Sequence, residues 1–322
     1  MVQNNSRRVV IVGTTSGLEA NTQVRGRWAG ELAGWLVVLC AILPFVGTRD
    51  QPWVHDDDVL QGPGSLAADP RAEWSDLLTA DFFGTWEEPR GQTGYWRPLI
   101  LLSFRAEAWL AGGSLAGQQW LAHVVTILCH GLASLALWVL LRRLGLDPVA
   151  ALLAAVLFGL HPAHVESVAW SSGRVETLPA ALAWGATAAL IGRGQRLGGL
   201  SLALAVGGLA LAPLAKESAV LLVALACPLA RLAGRPWSQA LGVPSLALGL
   251  ALAARGAAFG FVTDVDPAAF TGPEGAATRW LTWLAVVPEL VRLALWPGAA
   301  TPLHPFAAVT EPGRAVLAGG LV

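Results

Sequence analysis

Trp35-Leu36-Val37-Val38-Leu39-Cys40-Ala41-Ile42-Leu43 is the centre of an apolar run from Trp28 to Gly47, and its reading decides the fold class. The run approaches the ~20 residues that cross the hydrocarbon of a bilayer. No small-residue cleavage site follows it, so it reads as a retained signal anchor. Similar runs recur at Gln119 to Leu141, Val149 to Leu160, Glu176 to Ile191, Leu200 to Leu214, Ala219 to Ala230 and Leu241 to Ala258. One more, Trp280 to Trp296, is interrupted by Pro288 and either crosses the membrane or lies along it. Composition agrees: of 322 residues 54% are hydrophobic and 13% charged, where a soluble domain carries roughly 25% charged residues. The expected fold is all-α, a polytopic transmembrane helical bundle.

Charge gives the orientation. Arg7, Arg8, Arg25 and Arg27 precede the first run, and Arg142-Arg143, Arg193, Arg196, Arg231 and Arg235 fall at alternate turns. Basic residues mark the cytoplasmic side, so residues 1–27 form a cytoplasmic segment and 28–322 one membrane domain. The net charge of -1 conceals a segregation of arginines from acids, and that asymmetry reads as topology rather than as a nucleic-acid partner. Thr48 to about Gln118 is then a large extracytoplasmic loop holding the acids Asp56, Asp57, Asp58, Asp69, Asp76, Asp81, Glu87 and Glu88. Within it, Pro98 to Ala111 reads as an amphipathic helix on the outer leaflet, with Leu101, Phe104, Ala108 and Leu110 on one side and Arg105 and Glu107 elsewhere. Asp147-Pro148 is an N-cap followed by proline at the first helical position. Val9-Val10-Ile11-Val12-Gly13 lacks the glycine spacing of a nucleotide site. Cys40, Cys129 and Cys227 lie in apolar runs and act as small hydrophobes, while many of the 15 tryptophans fall at run ends as interfacial anchors. The apolar run begun after Thr301 is cut off at Val322, which reads as a fragment of a longer chain.

Ionisable groups converge on the inferred outer face from separate stretches. They are Asp56 to Asp58; His161-Pro162-Ala163-His164-Val165-Glu166; Gly173-Arg174-Val175-Glu176; and Lys216-Glu217. Charges at membrane helix ends mark function by default, against the plain alternative that they only snorkel to water. The acidic triple fits a solvated charge run, a site for a hard divalent cation such as Mg or Mn, or a general base for a hydroxyl acceptor. His161, His164 and Glu166 form an incomplete ligand set, so structural or substrate-bonding roles outrank a metal. Arg174, after Gly173, suits a bidentate grip on phosphate with Glu176 orienting it. Arg97, Lys216 and Arg292 pose the same choice between snorkelling and substrate contact.

Several of these stretches occur together in a known order. Trp53-Val54-His55-Asp56-Asp57, Asp81-Phe82-Phe83-Gly84, Tyr95-Trp96-Arg97-Pro98-Leu99, the run His161 to Arg174 and Lys216-Glu217 resemble the transmembrane and tetratricopeptide-repeat O-mannosyltransferases and their bacterial relatives, in the GT-C glycosyltransferase superfamily. The resemblance spans about Trp53 to Pro305, and His161 to Arg174 is its most specific part. It implies a GT-C-type bundle that takes a mannose-like sugar from a polyprenyl-phosphate-linked donor and inverts the anomeric centre. It also implies a protein Ser/Thr or other hydroxyl acceptor, and an outward-facing site in a bacterial cytoplasmic membrane. The acidic pair maps onto Asp56 and Asp57 as catalytic residues. Arg174, Glu176, His161, His164, Glu166, Arg97, Lys216, Glu217 and Arg292 then contact substrate, with a divalent metal an open question. His55 stands where an aromatic residue is usual, and no tetratricopeptide repeats follow. The rival from another class is a transporter or flippase that uses the same charges as a polar pathway.

Overall fold

The computed structural model describes residues 30–85, 87, 93–192 and 197–259, together with 281, 282, 284, 286–288, 291, 292, 295 and 296. The basic segment 1–27, Trp28, Glu88, Arg193, Arg196, the loop at 261–278, Trp280, Glu289 and the stretch 301–322 lie outside the described residues. The described residues are helical, with no strand among them; one isolated bridge pairs Ser65 with Thr85.

The helices are α1 (Gly30–Asp50), α2 (Asp57–Gln61), α3 (Pro98–Leu110), α4 (Leu115–Arg143), α5 (Pro148–Leu160), α6 (Val165–Ala169), α7 (Arg174–Ile191), α8 (Gly199–Ala215), α9 (Val220–Leu232) and α10 (Trp237–Ala258). The expected runs up to Ala258 are seen as helices, bounded by local chemistry, whereas much of the run Trp280 to Trp296 lies outside the described residues. Ser114 caps α4 by accepting from the Gly117 amide, and Asp147 caps α5 by accepting from Val149 and Ala150 ahead of Pro148. α1, α4 and α10 are each long and apolar enough to cross a membrane. A fourth span exists if α5 and Pro162–Ala169, bent by 46°, count as one. α8 and α9 are shorter, with 17 and 13 residues, because the chain breaks at Lys216-Glu217 before a full crossing is made. The protein is thus an all-α membrane protein.

The bundle packs through small side chains. Ala183, Ala186, Ala205, Leu209, Ala212 and Ala226 join α7, α8 and α9 in one buried core, as expected where lipid offers no hydrophobic drive and close contact must supply cohesion. At Gly131 of α4 an added Cβ would lie 2.9 Å from Ile42 Cδ1 of α1, so the two helices approach closely there and a larger residue would make the Ile42 side chain shift.

The loop between α1 and α4 is not a loose excursion. Leu60, Leu66, Leu77, Phe82, Ile100 and Phe104 form a second core that rests on Val175 of α7 and Ala215 of α8. α3 supplies one wall, and its buried face differs from the amphipathic side expected. Ile100, Leu101, Phe104 and Glu107 are buried, whereas Leu110 is exposed. Glu107 turns inward because a buried arginine awaits it there.

The two ends of the bundle differ in charge. At one end Arg143 donates to the Ala188 carbonyl, and Arg235 Nε donates to that of Ile191 at 2.8 Å. These arginines close the carboxyl end of α7, where unpaired carbonyls and the helix dipole favour cations. The opposite end collects the amino end of α7, the carboxyl ends of α5 and α8, and the packed loop.

Candidate active site

The acidic turn divides its members. His55 is the single non-glycine residue with positive φ among the described residues, at 51°, a conformation that side chains adopt only when their surroundings hold them there. Just beyond this reversal Asp56 is exposed at the N-cap of α2, whereas Asp57, the first helical residue, is completely buried. Asp57 accepts from the Val54 amide at 3.1 Å, from Gln61 Nε2 at 3.4 Å, and from both the amide and the hydroxyl of Ser172, at 3.0 and 2.5 Å. Its carboxylate is therefore occupied in joining the turn to the segment Ser171–Arg174. Asp56 and Asp58 remain open to solvent.

That segment is itself tightly built. A Cβ on Gly173 would lie 2.7 Å from the Ser167 carbonyl oxygen and 2.9 Å from that of Glu166, so the chain doubles back there only with glycine. Arg174 is fully buried, and all three guanidinium nitrogens are engaged by protein. Nε donates to Thr126 Oγ1 at 3.2 Å, Nη2 to the Ala122 carbonyl at 2.7 Å, and Nη1 to Ser103 Oγ at 3.0 Å and to the Glu107 carboxylate. Its plane also lies over the Phe104 ring, at 4.7 Å. Burial pushes the Glu107 carboxyl upward in pKa, and the Arg174 charge opposes that shift. The position expected to grip phosphate is thus turned inward, because a carboxylate on α3 claims the guanidinium first.

Gln61 and Thr126 complete the network. Gln61 Nε2 donates to Ser171 Oγ at 3.0 Å, and Thr126 Oγ1 donates to the Ser171 carbonyl at 2.7 Å. Sequence reading passed over Gln61 and Thr126, and it set Glu107 away from the apolar side of its helix, where the structure buries it. A signal existed for Glu107 and Thr126. Ile100, Phe104 and Glu107 repeat at helical spacing on α3, and Gln118, Thr126, His130 and Ser134 form a buried polar stripe along α4.

The other candidates meet at the same end of the bundle. His161 ends α5 and accepts from the Ala163 amide at 3.2 Å, and His164 packs against Phe158 with centroids 4.3 Å apart. Glu166 is exposed on α6. Glu176 pairs with Lys216 across α7 and α8. Both oxygens of Glu217 are used, accepting from the Trp96 amide at 2.9 Å and from Arg97 Nε at 3.0 Å. Arg97 lies over the rings of Phe82 and Tyr95, so it locks the packed loop to the α8–α9 turn. Arg292 is helical and half-buried. Among the described residues no three His, Cys, Asp or Glu side chains gather as a metal ligand set. Asp57 also has its carboxylate engaged, so the acidic turn offers Mg or Mn no closed cage of its own.

A cavity of about 420 Å³ opens among these groups. His130, Phe158, His164, Trp170, Glu176 and Trp184 are among its lining residues. The His55 ring meets Trp170 edge to face, with centroids 5.9 Å apart, so exposed Asp56 follows directly on a residue that touches the cavity wall. The cavity thus combines aromatic walls with two carboxylates, Glu166 and Glu176, the second paired with the Lys216 ammonium.

Known proteins are similar to part of this chain. Protein O-mannosyl-transferase Tmtc1 of Drosophila melanogaster is 36% identical over 151 residues, covering 45% of this chain and 16% of that protein. Tmtc2 of the same fly is 38% identical over 145 residues, 43% of this chain and 15% of its own length. Human TMTC4 is 34% identical over 165 residues, or 47% and 21%. The chain is similar to protein O-mannosyl-transferases. It spans about a fifth or less of the length of these O-mannosyl-transferase relatives. No family profile and no solved structure matches the chain.

Proposed function

We propose that this chain is an integral-membrane glycosyltransferase. It moves a mannose-like sugar from a polyprenyl-phosphate-linked donor to a hydroxyl acceptor, such as a protein Ser or Thr, on the extracytoplasmic face. The observation that supports this reading is the edge-to-face contact of His55, the residue before exposed Asp56, with Trp170, which lines the cavity.

The chemistry follows from the placement. The Asp56 carboxylate takes the proton of the acceptor hydroxyl as that oxygen attacks the anomeric carbon. The new C–O bond forms on the face opposite the phosphate, and the old bond breaks with its electron pair leaving on polyprenyl phosphate, so the anomeric centre inverts. Lys216, a quarter exposed beside Glu176, stabilises the departing phosphate. Asp57, Gln61, Glu107 and Arg174 hold the geometry without touching the reacting atoms. The prenyl chain of the donor lies against the apolar helices in membrane lipid. The names of the similar proteins, all from animals, support the reaction class and the sugar.

The test is sugar transfer by the purified full chain from polyprenyl-phosphate mannose to a Ser/Thr-containing acceptor peptide. Asp56→Asn is expected to lower the rate by about 10²- to 10⁴-fold, the usual contribution of a positioned base. Undiminished transfer by Asp56→Asn overturns the base assignment. Movement of the lipid-linked sugar across vesicles without transfer supports a flippase instead.

A further inference from the structure

The helices anchored at the arginine end of the bundle do not all reach equally far. α4 and α10 have 29 and 22 residues, about 44 and 33 Å at 1.5 Å per residue, enough for the ~30 Å hydrocarbon of a bilayer. α5 and α9 have 13 residues each, or about 20 Å. Both are fixed at the arginine end: α5 follows Arg142-Arg143 through the Asp147 cap, and Arg231 lies in the last turn of α9. Tilting only shortens the reach of a helix across the membrane, so neither crosses by itself.

What each helix exposes shows where its apolar cover stops. Val149, Leu153, Leu157 and Leu160 form an exposed stripe on α5, and Leu221, Leu225 and Leu232 form one on α9. Beyond the first stripe the chain bends by 46° at His161-Pro162 and carries exposed Glu166. Beyond the second stand exposed Ser218 and half-buried Glu217, whose carboxylate accepts from the Trp96 amide and from Arg97 of the packed loop. In a flat bilayer these polar groups would lie about 5–10 Å inside the hydrocarbon, where a carboxylate is costly. A short apolar helix is accommodated by a thinner bilayer, by snorkelling or by association with another chain. Snorkelling over such a distance needs the long stem of a Lys or Arg, and neither Glu166 nor Ser218 has one.

We infer that the leaflet at the cavity end is thinned beside α5 and α9, its acyl chains ending near His161 and Ser218, while α4 and α10 meet lipid of full thickness. The surface that fits these two helices is thus an indented patch of bilayer. It lies on the side where Phe158 of α5 and Leu222 of α9 enter the cavity wall. The inference rests on helix length and exposure, and it holds whether the chain transfers a sugar or translocates one.

Spin-label accessibility on the full chain in phosphatidylcholine nanodiscs tests it. Cys40, Cys129 and Cys227 are changed to Ala, and a single label is placed through Val165→Cys, Ser218→Cys, Leu128→Cys or Leu252→Cys. All four residues are exposed, so the labels leave the packed cores untouched. Leu128 on α4 and Leu252 on α10 stand about 22 Å from the arginine end, level with the other two. Collisions with a water-soluble nickel chelate, relative to those with oxygen, are expected to be at least about fivefold more frequent at Val165 and Ser218 than at Leu128 and Leu252. Equal, lipid-like ratios at all four positions overturn the inference. Shielding of Val165 and Ser218 from both reagents also overturns it, the result expected if a second copy of the chain covers the short helices.

Discussion

Two adjacent aspartates do different work because neighbouring residues at the start of a helix point about 100° apart. Asp57 goes inward, and four donor contacts hold it there. Asp57→Asn exchanges a charged acceptor for an amide facing Ser172 and Gln61, and is expected to cost about 1–3 kcal/mol of stability. Thermal unfolding in a fixed detergent measures that loss, and Asp56→Asn in the same assay leaves the midpoint in place. Gly173→Ala brings a Cβ to 2.7 Å from the Ser167 carbonyl. We expect a destabilisation of about 1–3 kcal/mol, as for other overpacked sites. Sequence alone located this pair and this glycine, since charge beside an apolar run is visible in one dimension. It did not divide the pair, because which aspartate turns inward depends on Ser172, 115 residues away.

The helices were legible for similar reasons: apolar runs of suitable length, a capping Asp147 before Pro148, and breaks at His161-Pro162 and Lys216-Glu217 all act locally. The face of α3 was not legible. Its inner side is set by Arg174, and a carboxylate on a helix of that composition otherwise belongs outside. Breaking this ion pair from one side leaves a buried charge alone, so Glu107→Ala is expected to lower stability by about 3–5 kcal/mol. The double variant Glu107→Leu with Arg174→Met, which removes both charges, is expected to recover most of it; a double-mutant cycle by chemical denaturation checks the coupling. The outer loop carries its own pair. Arg71 hydrogen bonds hold the Asp69 carboxyl at about 2, below its ordinary 3.8. A lowered folded pKa gives stability that is complete above the ordinary value and lost as pH falls through about 2. Protease resistance of the loop should therefore persist to pH 4 and fade below it, and Asp69→Asn should remove that pH dependence.

Across the whole molecule, charge sorts the bundle into two ends. Arg142, Arg143, Arg231 and Arg235 gather at one, and Glu176, Lys216, Glu217 and Arg97 at the other. We propose from the positive-inside rule that the cavity faces outward. With Cys40, Cys129 and Cys227 changed to Ala, a membrane-impermeant maleimide should label Asp58→Cys in intact cells and Arg142→Cys only after permeabilisation. The reverse pattern would place the cavity in the cytoplasm. This arrangement was largely legible from arginine spacing, whereas the cavity was not. His130, Thr177 and Trp184 look like ordinary helix residues until α4, α5 and α7 are set side by side.

The long reach of the loop's bonds also sets an order of events during synthesis. Asp57, Glu107 and Arg97 wait for partners 115, 67 and 120 residues downstream. At ribosomal speeds of about 5–20 residues per second, the last of these gaps lasts roughly 6 to 24 s. Within that interval the long-range bonds form in turn, those of Asp57 and Glu107 once residues 172–174 are made and that of Arg97 last, when the turn before α9 emerges. The loop's most exposed moment to quality-control proteases is therefore early, before the chain that will seal it has been made.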